Sequence, residues 1–339
     1  MTRVHLSHFV GALLIMGLSN SISVPGQPSL PQTMSAAAID AGGDITSLSL
    51  HVVPVPQPKA AEVLIAVEAA GVGVWQARYL PQVTAPTVLG SDGAGTVAAL
   101  GEGVHDFKVG EAVYAVGGAF YAPYATVPVN HVARIPHRIT HLEAGVLGIS
   151  GLSALQGVED VLRLQANQTL IIHGAAGSVG SLAVQFAKLH KVRVLATVSD
   201  DAAAQFVRGL GADVVINGKT QDIVAEAHRF APGGVDAVLG LAGGDSLERC
   251  IDALRTDGHG QVAYLYGMDP LPKPRLGIQM LLYSYIADRR ELSRLNEAVE
   301  AAKLRVPVGA QFPLAEAAQA HARQDRGHLQ GKIAIIISN

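Results

Sequence analysis

Apolar and polar positions follow two different rhythms along this chain of 339 residues. From about residue 151, short apolar runs alternate with stretches in which apolar residues recur at helical spacing. Residues 169–173 (TLIIH) form one such run, and residues 179–187 then place their apolar side chains on one helical face. The alternation of strand and helix continues to about residue 266. It predicts an α/β fold with a doubly wound parallel sheet.

The earlier part of the chain is typical of short strands separated by glycine and proline turns. The apolar runs predict strands at 63–67, 95–100, 112–116 and 125–132. Thr140, followed three residues later by Glu143, predicts a capping box that opens a helix. Beyond about residue 287 the first rhythm returns and ends in a predicted strand at 332–337. We therefore expect a mostly β domain formed by 34–150 and 287–339, and a parallel-sheet domain formed by 151–286.

The first 33 residues differ from the rest of the chain. Arg3 precedes an apolar run from Phe9 to Leu18, and serine, proline and glycine follow as far as Pro31. This outline resembles a secretory signal, although there is one positive charge and no A-x-A cleavage site. A start codon placed too far upstream, with Met34 opening the protein, is the alternative. In either case we exclude 1–33 from the predicted fold.

Composition excludes several classes of protein. Apolar residues make up 49% of the chain and charged residues 16%, which is enough apolar sequence for a large buried core. The net charge of -3 offers no basic field to attract nucleic acid. No apolar run reaches the length of a membrane-spanning helix. A single cysteine, Cys250, excludes a disulfide framework and a zinc site of several cysteines, and we expect it to be buried.

A glycine-rich loop directly follows the predicted strand at 169–173 and opens a predicted helix. In this context Gly174 permits a tight turn, Gly177 lets the backbone approach a pyrophosphate, and Gly180 lets the helix pack closely on the strand. The first N–H groups of the helix and its positive dipole end favour phosphate. The sequence therefore predicts a dinucleotide site, with a ligand-free tight turn as the alternative.

The chain also carries a series of short motifs in a characteristic order. They are PVPQP at 54–58, AAGV at 69–72, GSDGAG at 90–95, FKVG at 107–110, GLSA at 151–154, the glycine loop at 174–180, LGAD at 210–213, VIN at 215–217, GVD at 234–236 and GKI at 331–333. From about Met34 to its end, the chain resembles the zinc-independent quinone oxidoreductase branch of the medium-chain dehydrogenase/reductases.

The resemblance implies a GroES-like catalytic domain, a Rossmann domain and a cofactor in the cleft between them. It implies a homodimer that reduces quinones, enones or related small carbonyl compounds with NADPH, NAD remaining possible. Because that cofactor is made in the cytosol, we expect a cytoplasmic protein, or a periplasmic or secreted one if residues 1–33 act as a signal. The implied cofactor-binding residues are Ser153, Gly174, Ala176, Gly177, Ser178, Val179, Gly180, Ser199, Asp200, Asn217, Leu241 and Gly267.

Zinc-dependent relatives carry an early cysteine and a Gly-His-Glu element as ligands. This chain has Gly90-Ser91-Asp92 at the second position and no cysteine before Cys250. His137 and His141 are four residues apart, but the predicted capping box puts His137 ahead of the helix. We therefore predict no metal site, and expect Asp92 to hold a buried turn.

The resemblance also implies positions that would contact the nicotinamide and the substrate. It maps a nicotinamide-contacting hydroxyl onto Ser153 and an active-site asparagine onto Gly73, which has no amide. The following segment offers Trp75, Gln76, Arg78 and Tyr79 as pocket residues or as surface-loop residues, whereas Tyr121 and Tyr124 fit a structural role better. The departure at Gly73 keeps a second hypothesis open, a non-catalytic NAD(P)-binding protein of the same fold.

The choice between NADPH and NADH is balanced in the sequence. The acid that selects NAD at the end of the second strand is replaced by Val198, and the lysine that often selects NADPH is replaced by Ala203. Asp200 and Asp201 lie between these positions, and either would repel a 2′-phosphate if it pointed inward, whereas Ser199 could donate a hydrogen bond to it. These residues and the resemblance favour NADPH by a small margin.

Overall fold

A computed structural model describes residues 30–40, 42–74, 76 and 86–337 of the chain. The signal-like segment lies outside these residues up to position 29. The first strand begins at Thr33, and the carbonyl of Gln32 accepts a hydrogen bond from the Val55 N–H. The fold therefore includes the last residues of segment 1–33, which we excluded from the predicted fold on the basis of the sequence.

The described strands alternate with helices only after residue 140. The strands are β1 (Thr33–Ile39), β2 (Ser49–Pro54), β3 (Glu62–Gly71), β4 (Thr87–Val88), β5 (Asp92–Leu100), β6 (Ala112–Val116), β7 (Tyr124–Pro128), β8 (Val132–Arg134), β9 (Thr169–His173), β10 (Arg193–Val198), β11 (Val214–Asn217), β12 (Ala237–Gly240), β13 (Gly260–Leu265), β14 (Ile278–Tyr283), β15 (Val308–Pro313) and β16 (Lys332–Ile336). The α-helices are α1 (His141–Gln156), α2 (Ser178–Leu189), α3 (Asp201–Arg208), α4 (Ile223–Phe230), α5 (Asp245–Asp252), α6 (Arg289–Ala302) and α7 (Ala317–Asp325).

Strands β9 to β14 form one parallel sheet in the order β11-β10-β9-β12-β13-β14. Alternate residues of its central strands face opposite layers of helices. Leu170 and Ile172 pack with α1, α2 and α3, whereas Ile171 packs with α4 and α5. Because both faces are covered, the central strands are apolar throughout. The predicted doubly wound sheet is confirmed.

The two ends of the chain build the remaining sheets. A seven-stranded sheet has the order β15-β16-β3-β5-β6-β8, with β7 also paired to β3, and a smaller sheet has the order β2-β1-β4. Strand β16 at the end of the chain pairs antiparallel with β3 near its beginning. The predicted return of the chain to its first sheet is confirmed. No described helix is long and apolar enough to cross a membrane.

Helix α1 lies between the two sheet systems. Its first turn carries the predicted capping box, in which Thr140 and Glu143 satisfy each other's backbone N–H groups. Nearly every residue from Ala144 to Gln156 is buried, because the helix packs on β3, β5 and β6 as well as on α2. The boundary expected after residue 150 falls inside this helix. The domain limits therefore stay predictions.

Two elements differ from the sequence-based expectation. The run at 125–132 is divided into β7 and β8 by a single 3₁₀ turn at Val129–His131. Strand β14 was not predicted, because its side chains are only partly buried and it follows a proline-rich loop.

Candidate active site

The cofactor-binding residues inferred from the sequence lie at one edge of the parallel sheet. The chain runs from β9 outward to β11 and then returns to β12 on the other side of β9, so a topological switch point lies between β9 and β12. Ligands of open α/β sheets bind outside the carboxyl ends of the strands at such a point. The residues that follow these strand ends are the 174–180 loop after β9, Ser199 and Asp200 after β10, Asn217 ending β11, Leu241 after β12 and Gly267 shortly after β13.

Two glycines of the loop are required by the protein's own backbone. Gly174 has a φ of 82°, a left-handed conformation that side chains rarely adopt. A Cβ at Gly180 would lie 2.4 Å from the carbonyl oxygen of Gly174 and 2.7 Å from the Cα of Ala175. The turn and the close approach of α2 to β9 therefore both depend on glycine.

Gly177 is different, because the protein itself has room for a side chain there. A Cβ would meet only the Gly174 carbonyl oxygen, at an ordinary 3.4 Å, and the φ of −72° suits any residue. Gly177 is also the N-cap of α2, which begins without a side-chain cap on its first N–H groups. An open position beside uncapped N–H groups fits a pyrophosphate on the backbone.

A segment from the seven-stranded sheet lies against this loop. The N–H of Gly331 donates to the carbonyl of Ala176 at 2.8 Å, and Gly331 forms a parallel bridge with Gly177. The next residue, Lys332, reaches into the first sheet, where its Nζ lies 2.6 Å from Oδ2 of Asp92. The glycine loop is thus joined through two consecutive residues to the strand that begins at Asp92.

The Asp92–Lys332 ion pair is almost entirely buried, with side-chain exposures of 1% and 3%. Oδ2 of Asp92 also accepts from the N–H of Ile149 on α1 at 3.3 Å. One helical turn beyond lies Ser153, which is 2% exposed and whose carbonyl accepts from Tyr283. Asp92 therefore ties β5 to α1 and β16, rather than closing a local turn as we expected.

The side chain of Asp200, which follows β10, caps the next helix. Its Oδ1 accepts the N–H of Ala203 at 2.8 Å and so caps α3, and this bond is the main reason that the pKa of Asp200 is lowered. Ala203 is 6% exposed and faces the core. A lysine at position 203, as in NADPH-selecting relatives, would therefore be buried here.

His328 is a cofactor-site candidate that sequence reasoning missed. It lies in the segment before Gly331, has a φ of 54°, and places Nδ1 2.8 Å from Oγ of Ser199. The same nitrogen is 3.6 Å from Oδ2 of Asp200. Nothing in the local sequence marks this contact, because the two segments are more than a hundred residues apart.

Three further cofactor candidates line the same edge. The N–H of Leu241 donates to the carbonyl of His173, and the Leu241 side chain lies over Gly174. Asn217 accepts the N–H of Lys219 with its side chain. Gly267 is exposed in a turn with a φ of 83°.

A cluster of buried, hydrogen-bonded polar side chains lies beside Gly73. The hydroxyl of Tyr121 lies 3.0 Å from Oε1 of Gln76 and 3.1 Å from Nε2 of His321, and Oε1 of Gln76 also accepts the Gly73 N–H at 3.3 Å. Burial raises the pKa of Tyr121 well above its usual value and lowers the pKa of His321 to about 4. Both side chains are therefore neutral near pH 7. Gln76 is 6% exposed and is not a surface residue; the other pocket candidates, Trp75, Arg78 and Tyr79, lie outside the described residues.

The histidine, cysteine and acidic side chains of the described residues form no metal-binding cluster. No group of three or more histidine, cysteine, aspartate or glutamate side chains is placed there to hold an ion. His137 is exposed ahead of α1, and His141, the first residue of that helix, lies near Glu68. Cys250 is fully buried, and burial raises the pKa of its thiol to about 12.

Comparisons with known proteins agree with this geometry. An alcohol dehydrogenase GroES-like domain model matches residues 59–137, and a zinc-binding dehydrogenase model matches residues 210–335, together more than half of the chain. A rat quinone oxidoreductase is 28% identical over 315 residues, covering 87% of this chain and 94% of the rat protein. The chain belongs to the medium-chain dehydrogenase/reductases, in their quinone oxidoreductase branch. The predicted GroES-like and Rossmann architecture is confirmed.

Solved structures of medium-chain dehydrogenase/reductases extend the likeness. The quinone oxidoreductase of Coxiella burnetii superposes with a TM-score of 0.79 at 26% identity, over 90% of this chain and all of that one. A mycobacterial protein complexed with NADPH superposes with a TM-score of 0.80 at 26% identity, over 89% of this chain and 99% of that one.

Proposed function

We propose that the chain is an NAD(P)H-dependent oxidoreductase that reduces a quinone, an enone or a related small carbonyl compound. The observation that carries the proposal is the open position at Gly177, at the start of an uncapped helix and at the switch point of the sheet. A bound reduced nicotinamide would supply hydride. The chain's own residues would hold the pyrophosphate on the 174–180 loop and orient the nicotinamide beside Ser153.

The acceptor class is inferred from the relatives. The rat and Coxiella burnetii proteins are named quinone oxidoreductases, and another structural neighbour is an enoyl reductase. These reactions share a conjugated carbonyl whose oxygen becomes negative when the carbon skeleton gains hydride. A neutral, buried hydrogen-bond donor suits that charge, and the amide of Gln76, which contacts the Tyr121 hydroxyl, is such a donor.

We propose that the reaction needs no zinc. Ser91 stands where zinc-dependent relatives have a histidine ligand, and Asp92 next to it is paired with the ammonium group of Lys332 and not with a metal ion. An ammonium group 2.6 Å from the carboxylate already neutralises its charge.

NADPH is the favoured cofactor. Val198 supplies no acid for the ribose hydroxyls, and Oδ1 of Asp200 is occupied by the cap of α3. His328 and the hydroxyl of Ser199 stand beside that carboxylate. The His328 imidazole would donate a charge-assisted hydrogen bond to the 2′-phosphate.

We also propose a cytoplasmic homodimer. Strand β14 is an edge of the parallel sheet, with hydrogen-bonding groups facing away from β13. Leu282 on this strand is 51% exposed, and Tyr266 and Ile286 nearby are 68% and 63% exposed. A second copy that pairs along β14 would cover these side chains. Sedimentation of wild type and of Leu282→Lys tests this, with the dimer expected only for wild type.

The function is tested by NADPH and NADH oxidation with a panel of benzoquinones, an ortho-quinone and aliphatic enones, before and after treatment with a chelator. We expect turnover with at least one acceptor, a higher kcat/KM for NADPH, and no loss on chelation. Binding of dinucleotide without turnover on any acceptor would favour the non-catalytic alternative. Activity that is lost on chelation and restored by zinc would contradict the metal-free site.

His328→Ala is expected to weaken NADPH binding roughly tenfold and NADH binding less than about twofold, because a charge-assisted hydrogen bond to an exposed phosphate is lost. The measurement is the Kd of each cofactor from its fluorescence change. His228→Ala is the matched control, since His228 lies in the last turn of α4, which runs away from the carboxyl edge of the sheet. Equal weakening of both cofactors would remove His328 from the 2′-phosphate site.

A further inference from the structure

The hydrogen bonds of the buried polar cluster beside Gly73 can each be assigned a donor and an acceptor. The Gly73 N–H is a donor, so the group that faces it must be the oxygen of the Gln76 amide. The Tyr121 hydroxyl lies 3.0 Å from that same oxygen and 3.4 Å from the Gly71 carbonyl oxygen, and we assign its single hydrogen to the nearer acceptor, Gln76. The amide orientation of Gln76 is thereby fixed by two donors.

Donors and acceptors can also be assigned in the hydrogen bonds on either side of the Tyr121–Gln76 contact. Because the single hydroxyl hydrogen of Tyr121 is used for Gln76, Nε2 of His321 must donate to the Tyr121 oxygen at 3.1 Å. On the other side, Nε2 of Gln76 donates to Oγ of Ser91 at 3.4 Å. Three side chains, His321, Tyr121 and Gln76, therefore each donate to the next, and Ser91 accepts the last of these hydrogen bonds. In such a series, each hydrogen bond polarises the next donor.

The Gln76 amide and the Ser91 hydroxyl, at the end of this hydrogen-bonded series, each carry a further hydrogen that they could donate. In the part of the chain that the structure describes, no acceptor is paired with the Ser91 hydroxyl hydrogen or with the second amide hydrogen of Gln76. Their donor atoms are 3.4 Å apart, so one oxygen atom could accept from both.

These donors are connected to the cofactor loop through the protein. Ser91 precedes Asp92, whose partner Lys332 follows Gly331, and Gly331 is bonded to the glycine loop. Gly71, two residues before Gly73, has no Cβ and so leaves room for the Lys332 side chain. The two donors therefore lie beside the ends of β3 and β5, close in sequence to the residues that contact the segment packed on the cofactor loop.

We propose that Gln76 and Ser91 bind the carbonyl oxygen of the acceptor and stabilise the negative charge that it gains. This inference rests on the proposed function. Hydride forms a C–H bond at the acceptor carbon, the conjugated π bond breaks, and its electron pair moves to the oxygen held by the two donors. Reduced nicotinamide is the reductant, and water supplies the proton afterwards. Tyr121 and His321 are positioning residues that hold the Gln76 amide.

The pair also accounts for Gly73. The amide that the family pattern places at 73 is thus supplied from position 76, one turn further along the chain.

The first test does not depend on turnover. 4-Nitrophenol mimics the acceptor oxyanion, and its phenolate form absorbs visible light whereas the phenol does not. With the full chain and NADP⁺ present, we expect the apparent pKa of bound 4-nitrophenol to fall by about one, because two neutral donors favour the anion. Gln76→Glu keeps the acceptor for Tyr121 and Gly73 but removes the donor, and it should abolish the effect. Ser91→Ala should reduce it.

The second test separates binding from chemistry. Gln76→Glu is expected to lower kcat for the best quinone about 100-fold while the KM for NADPH stays within about twofold. Tyr121→Phe should lower kcat by less, because the Gly73 N–H still holds the amide. Gln311→Glu, on an exposed face of β15, is the matched control and should change neither value.

The outcomes separate failure of the proposed function from failure of the oxyanion site. If wild type reduces no acceptor but lowers the pKa of bound 4-nitrophenol through Gln76, the proposed function fails and the oxyanion site stands. If wild type turns over and Gln76→Glu retains its kcat, the oxyanion site is wrong. Wild type that leaves the ionisation of 4-nitrophenol unchanged also overturns it.

Discussion

Gly177→Asp is expected to weaken NADPH binding by at least about 100-fold, since a carboxylate placed against a phosphate costs several kcal/mol. The side chain has space in the protein, where its Cβ meets a single atom at 3.4 Å. Because aspartate is a good N-cap and glycine is costly in the unfolded chain, the variant should be as stable as wild type or slightly more stable. Cofactor fluorescence and thermal unfolding measure the two effects.

A neighbouring glycine supplies the opposite control. In Gly180→Ala the new Cβ would overlap backbone atoms of Gly174 and Ala175, so the free energy of unfolding should fall by about 1–3 kcal/mol. One glycine of the loop thus serves the ligand and another serves the fold. A folded Gly177→Asp variant that binds NADPH as wild type does would show that the pyrophosphate lies elsewhere.

The sequence predicted what is encoded locally. The strand at 169–173, the loop that follows it and the capping box at Thr140 all depend on residues within a few positions of one another. The same holds for the buried central strands, whose apolar runs are continuous because helices cover both faces. Strand β14 has neither kind of signal, since one side of it is unpaired and its residues are mostly half-buried.

The contacts that complete the candidate site are not local. His328 meets Ser199, His321 meets Tyr121, and Lys332 meets Asp92 across separations of more than a hundred residues. Each depends on β16 pairing with β3 and on Gly331 resting against the glycine loop. Residue type alone therefore left Gln76 between a pocket role and a loop role, and left the direction of the Asp200 side chain open.

Lys332→Met is expected to lower the free energy of unfolding by about 3–5 kcal/mol, because it leaves the carboxylate of Asp92 buried without its cation. The pair is 2.6 Å apart and nearly inaccessible to water. Oδ1 of Asp92 has no hydrogen-bond partner among the described residues, so the aspartate has little else to compensate its charge. Denaturant unfolding followed by circular dichroism gives the value.

The double variant Asp92→Asn with Lys332→Met shows whether charge is responsible. Removing both charges should recover much of the loss, since the cost of the single change is an uncompensated charge and not the value of the pair. Arg229→Met, which breaks an exposed pair with Glu226, is the control and should change stability by less than about 0.5 kcal/mol. If the single and double variants were equally unstable, the lysine would act through packing of its stem, and Asp92 would not need a cation to join β5, α1 and β16.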